Sequence, residues 1–320
     1  MKGSPRHFGF LTLPKYSMIA LSGAIDVLRM ANQLSGSQRY RWSTYSLDET
    51  EVLASNGITA RPSKPFDLSD PLPDVLFVCG GWDVRDAVDA RLKQLLSSLA
   101  GRNVALGGLC TGAYALMACN LLDGYRCAVH WEALPELHAE FPDVRFVEQI
   151  FVIDRDRLTC TGGTAPLDMM LHVVTEDLGP VMAMNISHQF SIEFIRSDSD
   201  PQPIPIPSRI GFSRTELVES VRLMEANIDE PLSVPELARL VGVSERQLQR
   251  VFMESIKLSP KQYYLGIRLK HARKLIRTSS IPISNVPQMC GFSTTTHFSH
   301  AFRSFFGYAP SDERRKRVSV

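Results

Sequence analysis

The 320-residue chain is 44% hydrophobic and 22% charged, the composition of a water-soluble globular protein long enough for two domains. No apolar run approaches the ~20 residues of a bilayer span, and the six cysteines include no Cys-x-x-Cys pair. The sequence therefore speaks against a membrane protein, a zinc site and a disulfide scaffold, and for a reducing cytoplasm. The net charge of +1 conceals an asymmetry: from Arg209 onward there are 18 Lys and Arg against 10 Asp and Glu, a balance of +8, which leaves 17 against 24, or −7, upstream. A basic final third points to a phosphate-bearing partner.

The first apolar stretch is short and broken by Pro14 and Lys15, so it is expected to be a strand and not a signal peptide. In chain order, His7–Leu13 reads as a strand, Ile19–Leu34 as a helix and Arg41–Leu47 as an alternating strand. "DVLFVCGG" (Asp74–Gly81) and "NVALGGLC" (Asn103–Cys110) are buried strands, each followed by a helix, over Ala87–Ala100 and Thr111–Leu122. Arg157–Thr161 is strand-like and Ala165–Leu178 helical. Continuous apolar strands alternating with helices predict an α/β fold with a doubly wound, mainly parallel sheet. Such sheets bind ligands at the carboxyl ends of their strands, which would gather Cys79–Trp82, Cys110 and the Tyr16 loop.

"SDSDPQPIPIPS" (Ser197–Ser208) carries four prolines and reads as an extended linker. The expected boundaries are a first domain over 1–196, a linker over 197–210 and a second domain over 211–320. The second domain is expected to be all-α and contains an internal repeat. "LARLVGVSERQLQRVF" resembles "VPQMCGFSTTTHFSHAF": Gly242 pairs with Gly291 and Ser244 with Ser293 at an offset of 49, then Leu248 with Phe298 and Phe252 with Phe302 at 50. Two helix–turn–helix units account for this. The glycines permit a tight turn, the serines can cap the following helix, and the paired apolar residues face the core.

The second helix of such a unit enters the major groove. Arg246, Gln249 and Arg250 lie opposite the apolar face of the first copy, and arginine and glutamine read guanine and adenine through paired hydrogen bonds. The second copy offers Thr296, His297 and His300. Arg303, Lys257 and Lys261 suit phosphates. Two such helices on one rigid unit can reach successive grooves ~34 Å apart on double-stranded DNA.

Residues 216–310 resemble the DNA-binding domain of AraC-family transcription regulators, on "LSVPELARLVGVSERQLQRVF", "PKQYYLGIRLKHARKLI" and "CGFSTTTHFSHAFRSFFGYAP". The resemblance implies seven helices, with one long helix joining the two units, and the same base-reading positions. The chain departs from the family at Pro287, inside the first helix of the second unit, and at Ser311-Asp312-Glu313-Arg314, where a tyrosine usually precedes the arginine.

Gly108-Leu109-Cys110-Thr111-Gly112 has the G-x-C-x-G form of a nucleophile elbow, a sharp strand-to-helix turn that lifts one side chain into a pocket. Around it, "VCGG", "GGLCTGAYALMACNLLDGYRCAVHW" and "TCTGGTAPLDMMLHVV" resemble the class I glutamine amidotransferase-like fold, including its intracellular protease-like and chaperone-like branch, over residues 7–190. In enzymes of that superfamily the cysteine works with a histidine and an acid. His130 is the candidate base and Glu132 a superficial candidate acid, but the region around Ala20 lacks the carboxylate of the chaperone-like branch. Cys110 and His130 therefore read as vestiges of a catalytic set. Cys110 remains open between a pocket-lining residue, a buried thiol, an amidase or hydrolase nucleophile and a redox sensor acting with Cys79.

The composite chain is similar to regulators of glycine betaine, carnitine or arginine catabolism. That likeness implies an activator and homodimer that senses a betaine, carnitine or basic amino acid, binds promoter DNA and meets RNA polymerase. No cofactor or metal is expected. Trp82, Trp131 and Tyr16 would form an aromatic cage for a cation, His130 would line it, Glu132 would add a countercharge, and the N–H groups of Gly81 and Thr111 would seat a carboxylate.

Overall fold

A computed structural model describes residues 4–48, 51–192, 195–198, 200–202, 215–279 and 281–318. The chain divides into two compact units, Met1–Gln202 and Pro203–Val320.

The strands of the first unit are β1 (Arg6–Thr12), β2 (Tyr40–Ser46), β3 (Val52–Leu53), β4 (Thr59–Ala60), β5 (Lys64–Pro65), β6 (Val75–Cys79), β7 (Ala105–Leu109), β8 (Arg126–Ala128), β9 (Arg145–Val147), β10 (Phe151–Asp154) and β11 (Arg157–Cys160). Seven form one sheet in the order β10-β11-β7-β6-β1-β2-β5, with β10–β11 antiparallel and every other neighbouring pair parallel. The helices are α1 (Met18–Ser35), α2 (Ala90–Gly101), α3 (Ala113–Met117), α4 (Leu134–Glu140), α5 (Ala165–Leu178) and α6 (Pro180–Gln189).

Alternate residues of the buried strands feed two cores. Phe8, Phe10 and Phe77 pack with residues of α1, α5 and α6, whereas Leu11, Leu76 and Val78 pack with residues of α2 and α3. Apolar side chains on both sides of each strand are what a parallel sheet covered on both faces requires.

Two helices depart from expectation. α2 begins at Ala90 and not Ala87, because the Asp89 side chain accepts from the Leu92 N–H at 2.8 Å and caps it. The helix expected over Thr111–Leu122 is a 3-10 turn, Cys110–Gly112, followed only by α3. Beyond Met117 the chain breaks into turns, with Asn120 at φ +58°, a conformation incompatible with continued helix.

The first residues of the expected linker pair with the first unit. The Ile150 N–H donates to the Asp200 carbonyl at 3.2 Å and the Gln202 N–H to the Glu148 carbonyl at 2.9 Å, with a bridge between Gln149 and Pro201. Residues 197, 198 and 200–202 thus lie along the edge of the first unit. The rest of the expected linker, 203–210, lies outside the described residues.

The second unit contains seven helices among its described residues: α7 (Thr215–Ala226), α8 (Val234–Leu240), α9 (Glu245–Ser255), α10 (Pro260–Thr278), α11 (Val286–Met289), α12 (Thr295–Phe306) and α13 (Pro310–Val318). Leu237, Leu248, Phe252 and Tyr264 share one core, and Leu269, Ile276, Phe298 and Phe302 share another. The 19-residue α10 contributes to both. Ser259 and Gln262 form a capping box at its start, which satisfies N–H groups that would otherwise lack helical partners.

Both departures from the family pattern find a physical reason. Pro287 occupies the first turn of the short α11, where a missing N–H costs no helical bond. Glu313, 3% exposed, meets Arg273 at 3.1 Å and Arg277 at 3.5 Å and accepts from the Tyr308 hydroxyl. A carboxylate in place of the usual tyrosine thereby ties α13 to α10.

Candidate functional site

Strands β6 and β7 are parallel neighbours, so their carboxyl ends, Cys79 and Leu109, lie side by side. Cys110 follows at φ +58°, a left-handed conformation that a β-carbon disfavours. The sharp turn expected from the motif is present. Its tightness depends on Gly112, where an added Cβ would lie 1.9 Å from the Val78 carbonyl oxygen. The neighbouring loop is equally close: a Cβ on Gly81 would lie 1.6 Å from the Lys15 carbonyl oxygen. The Thr111 hydroxyl donates to the Gly81 carbonyl at 2.7 Å and joins the two loops.

These loops border a cavity of about 400 Å³ lined by Gly81, Trp82, Cys110, Thr111 and His130, among others. Three expected members lie elsewhere. Tyr16 is fully buried, its main chain bridged to Gly81 and its ring in the core. Trp131 and Glu132 open a 3-10 turn, Trp131–Ala133, and do not line the cavity. The Trp131 ring lies 5.3 Å from that of His130, and the exposed Glu132 carboxylate sits 3.4 Å from His130 Nδ1. The aromatic wall consists instead of Trp82, 76% exposed at the mouth, and Tyr114.

Sequence reading missed Tyr114, Arg85 and three carboxylates in the lining: Asp83, Asp86 and Glu136. The signals available were the run Asp83–Asp86 directly after Trp82 and the position of Tyr114 one helical turn beyond Cys110. Arg85 lies over the Tyr114 ring at 4.8 Å and pairs with Glu140 at 2.7 Å. The Tyr114 hydroxyl donates to the other Glu140 oxygen at 2.9 Å. Asp83 pairs with Lys15 at 2.7 Å and Glu136 lies 3.7 Å from Arg85. Three carboxylates against one arginine in the lining still leave an excess of negative charge beside the exposed indole of Trp82, a combination that favours a cation.

The thiol does not match its elbow. Burial raises the Cys110 pKa, opposed in part by the Thr111 N–H. Burial, then Cys110, raises that of Cys79, and burial raises that of Cys160 well above its ordinary value. Burial thus favours the neutral thiol at all three positions, whereas nucleophilic attack and oxidation both proceed through thiolate. Among the described residues no hydrogen bond joins Cys110 to His130, and no group of three or more His, Cys, Asp or Glu could hold a metal ion.

In the second unit, α9 buries Leu248, Val251 and Phe252 and exposes Arg246, Gln249 and Arg250. Ser244 caps it through the Gln247 N–H at 3.2 Å. Helix α12 buries Phe298, Ala301 and Phe302 and exposes Thr296, His297, His300 and Arg303. Its cap is Thr294, accepting from the His297 N–H at 3.2 Å, and not the expected Ser293. The extra residue of the second copy shifts the cap by one. Gly242 and Gly291 adopt φ +75° and +67° as the turns require. Lys257 and Lys261 are exposed. Sequence reading also missed Met253, 49% exposed one turn beyond Arg250; the 50-residue offset pairs it with Arg303.

Comparison with known proteins agrees with both units. Residues 10–176 match the DJ-1/PfpI family and residues 237–316 a helix-turn-helix domain. The chain is 43% identical to the HTH-type transcriptional regulator GbdR of Pseudomonas aeruginosa, over 98% of this chain and 85% of that protein. It is 37% identical to the HTH-type transcriptional regulator CdhR of the same species, over 96% and 91%. An AraC family transcriptional regulator from Pseudomonas putida, 29% identical, covers 58% of this chain and all of that one at a TM-score of 0.53. The chain therefore belongs to the HTH-type transcriptional regulators that join a DJ-1/PfpI domain to an AraC-type DNA-binding domain.

Proposed function

We propose that this DNA-binding regulator is a transcription activator that responds to a small cationic or zwitterionic metabolite of the betaine, carnitine or basic amino acid class. The observation that carries this reading is the cavity beside Cys110, where Trp82 and Tyr114 meet Asp83, Asp86 and Glu136. The first unit is a sensor and not a hydrolase: the elbow persists, but burial raises its thiol pKa, and no hydrogen bond joins that thiol to His130 among the described residues. The protein works in the cytoplasm as a homodimer on paired promoter sites and recruits RNA polymerase. Arg246, Gln249, Arg250, Thr296, His297 and His300 read bases, and Arg303 holds phosphate.

Thermal unfolding of the full chain against glycine betaine, carnitine, choline and arginine tests the ligand class. A ligand at ~100 times its Kd adds about 2.7 kcal/mol, and Trp82→Ala should abolish the shift. No shift with any of the four counts against a cationic effector. Retained ligand-dependent transcription in Cys110→Ala separates a sensor from an enzyme, and a normal response in a Cys79→Ser/Cys110→Ser double variant separates it from a redox switch.

A further inference from the structure

One side chain at the end of the first unit holds the cavity wall in two places. Gln202 is 5% exposed. Its Nε2 donates to the Val129 carbonyl at 2.8 Å, and its Oε1 accepts from the Trp131 N–H at 2.9 Å. The two contacts flank His130, and both Val129 and His130 line the cavity. Glutamine suits this position because its amide carries a donor and an acceptor on a side chain long enough to bracket one residue. Glutamate keeps only the acceptor.

Gln202 is also the last residue of the first unit. Its own N–H donates to Glu148. Upstream, the Arg196 N–H and Nε donate to the buried carboxylate of Asp168, each at 3.0 Å. The described residues between 195 and 202 are thus moored to the body at Arg196 and to the cavity wall at Gln202. The next residue in the chain, Pro203, opens the DNA-binding unit.

We infer that Gln202 is a positioning residue that couples occupancy of the cavity to the segment entering the DNA-binding unit. Packing a ligand against Val129 and His130 restricts the 129–131 backbone. That backbone can keep both Gln202 bonds only in a narrow range of positions, so the ligand and the 197–202 segment stabilise each other. Linkage makes the effect reciprocal: releasing Gln202 weakens the ligand's influence beyond the cavity, and in turn weakens ligand binding by the same factor. The inference rests on the effector reading above.

Hydrogen exchange on the full chain, with glycine betaine, carnitine and arginine as probes, tests it. In the wild type, a binding compound should slow exchange about tenfold both at 129–131 and at 197–202. In Gln202→Ala, protection at 129–131 should survive in part and protection at 197–202 should vanish, with Gln202→Glu between the two. Unchanged exchange in the central strands β6, β7 and β1 of the first unit would show that each variant is folded. Ligand protection of 197–202 that persists in Gln202→Ala, or that never extends there in the wild type, overturns the coupling. If no compound protects 129–131 in the wild type, the effector reading fails for this class. The clamp itself is then judged without ligand: faster exchange of the Trp131 amide in Gln202→Ala supports it, and an unchanged rate overturns it.

Discussion

Cys110 keeps the backbone of an elbow at φ +58° while burial raises its thiol pKa above the ordinary value. Because only thiolate reacts, iodoacetamide should modify Cys110 more slowly at pH 7 than a free cysteine, with the rate climbing only at more alkaline pH than for the free thiol. Peptide mass spectrometry reads this directly, and fast labelling at pH 7 would revive a catalytic role. A second titrating residue acts on stability. His7 is 5% exposed, with Nε2 3.0 Å from Ser43 Oγ; burial, and then the charge of Arg41, lowers its pKa from 6.5. The unfolded chain therefore takes the proton first. The stabilising contribution is complete above about pH 6.5 and is lost as pH falls below that toward the lowered native value. Chemical denaturation between pH 7 and 5 should show this slope, and His7→Gln should flatten it.

At the level of helices and loops, the two recognition helices make separable predictions. Thr294→Ala should cost about 1 kcal/mol of stability, the ordinary value of a lost cap, while Ser293→Ala should cost close to nothing; equal costs would contradict the shifted cap. Arg246→Ala and Arg250→Ala should each weaken specific DNA binding by about 1–3 kcal/mol, measured by titration of a promoter fragment, without altering the unfolding curve. What the sequence disclosed here follows from periodicity. Strands whose two sides are both apolar, and helices with Leu248 and Phe252 or Phe298 and Phe302 four residues apart, declare their environment one residue at a time. The cap of α12 was hidden because three threonines follow Ser293 and any of them can cap. The cavity was hidden for a different reason. Tyr16 sits on an expected strand-end loop, yet its ring points into the core, whereas Tyr114 and Glu136 reach the cavity from helices whose orientation no local pattern encodes. Gln202 lay within a proline-rich run that reads as a spacer, and only the fold shows it bracketing His130.

For the whole molecule, charge divides along the chain. The −7 balance upstream of Arg209 and the +8 balance after it give the two ends opposite signs, so phosphate is drawn to the second end alone. The three tryptophans follow the same division. Trp42, Trp82 and Trp131 all fall in the first unit, and the second unit has none. Intrinsic indole fluorescence is therefore a one-sided reporter. With Trp82 exposed at the cavity mouth and the other two half-buried, an effector entering the cavity should shift the emission to the blue without any label. DNA, bound by a unit with no indole of its own, should leave that emission unchanged unless the bound state is transmitted back. A spectrum that moves when promoter DNA is added to the unliganded protein would record the return signal optically, in the same cuvette.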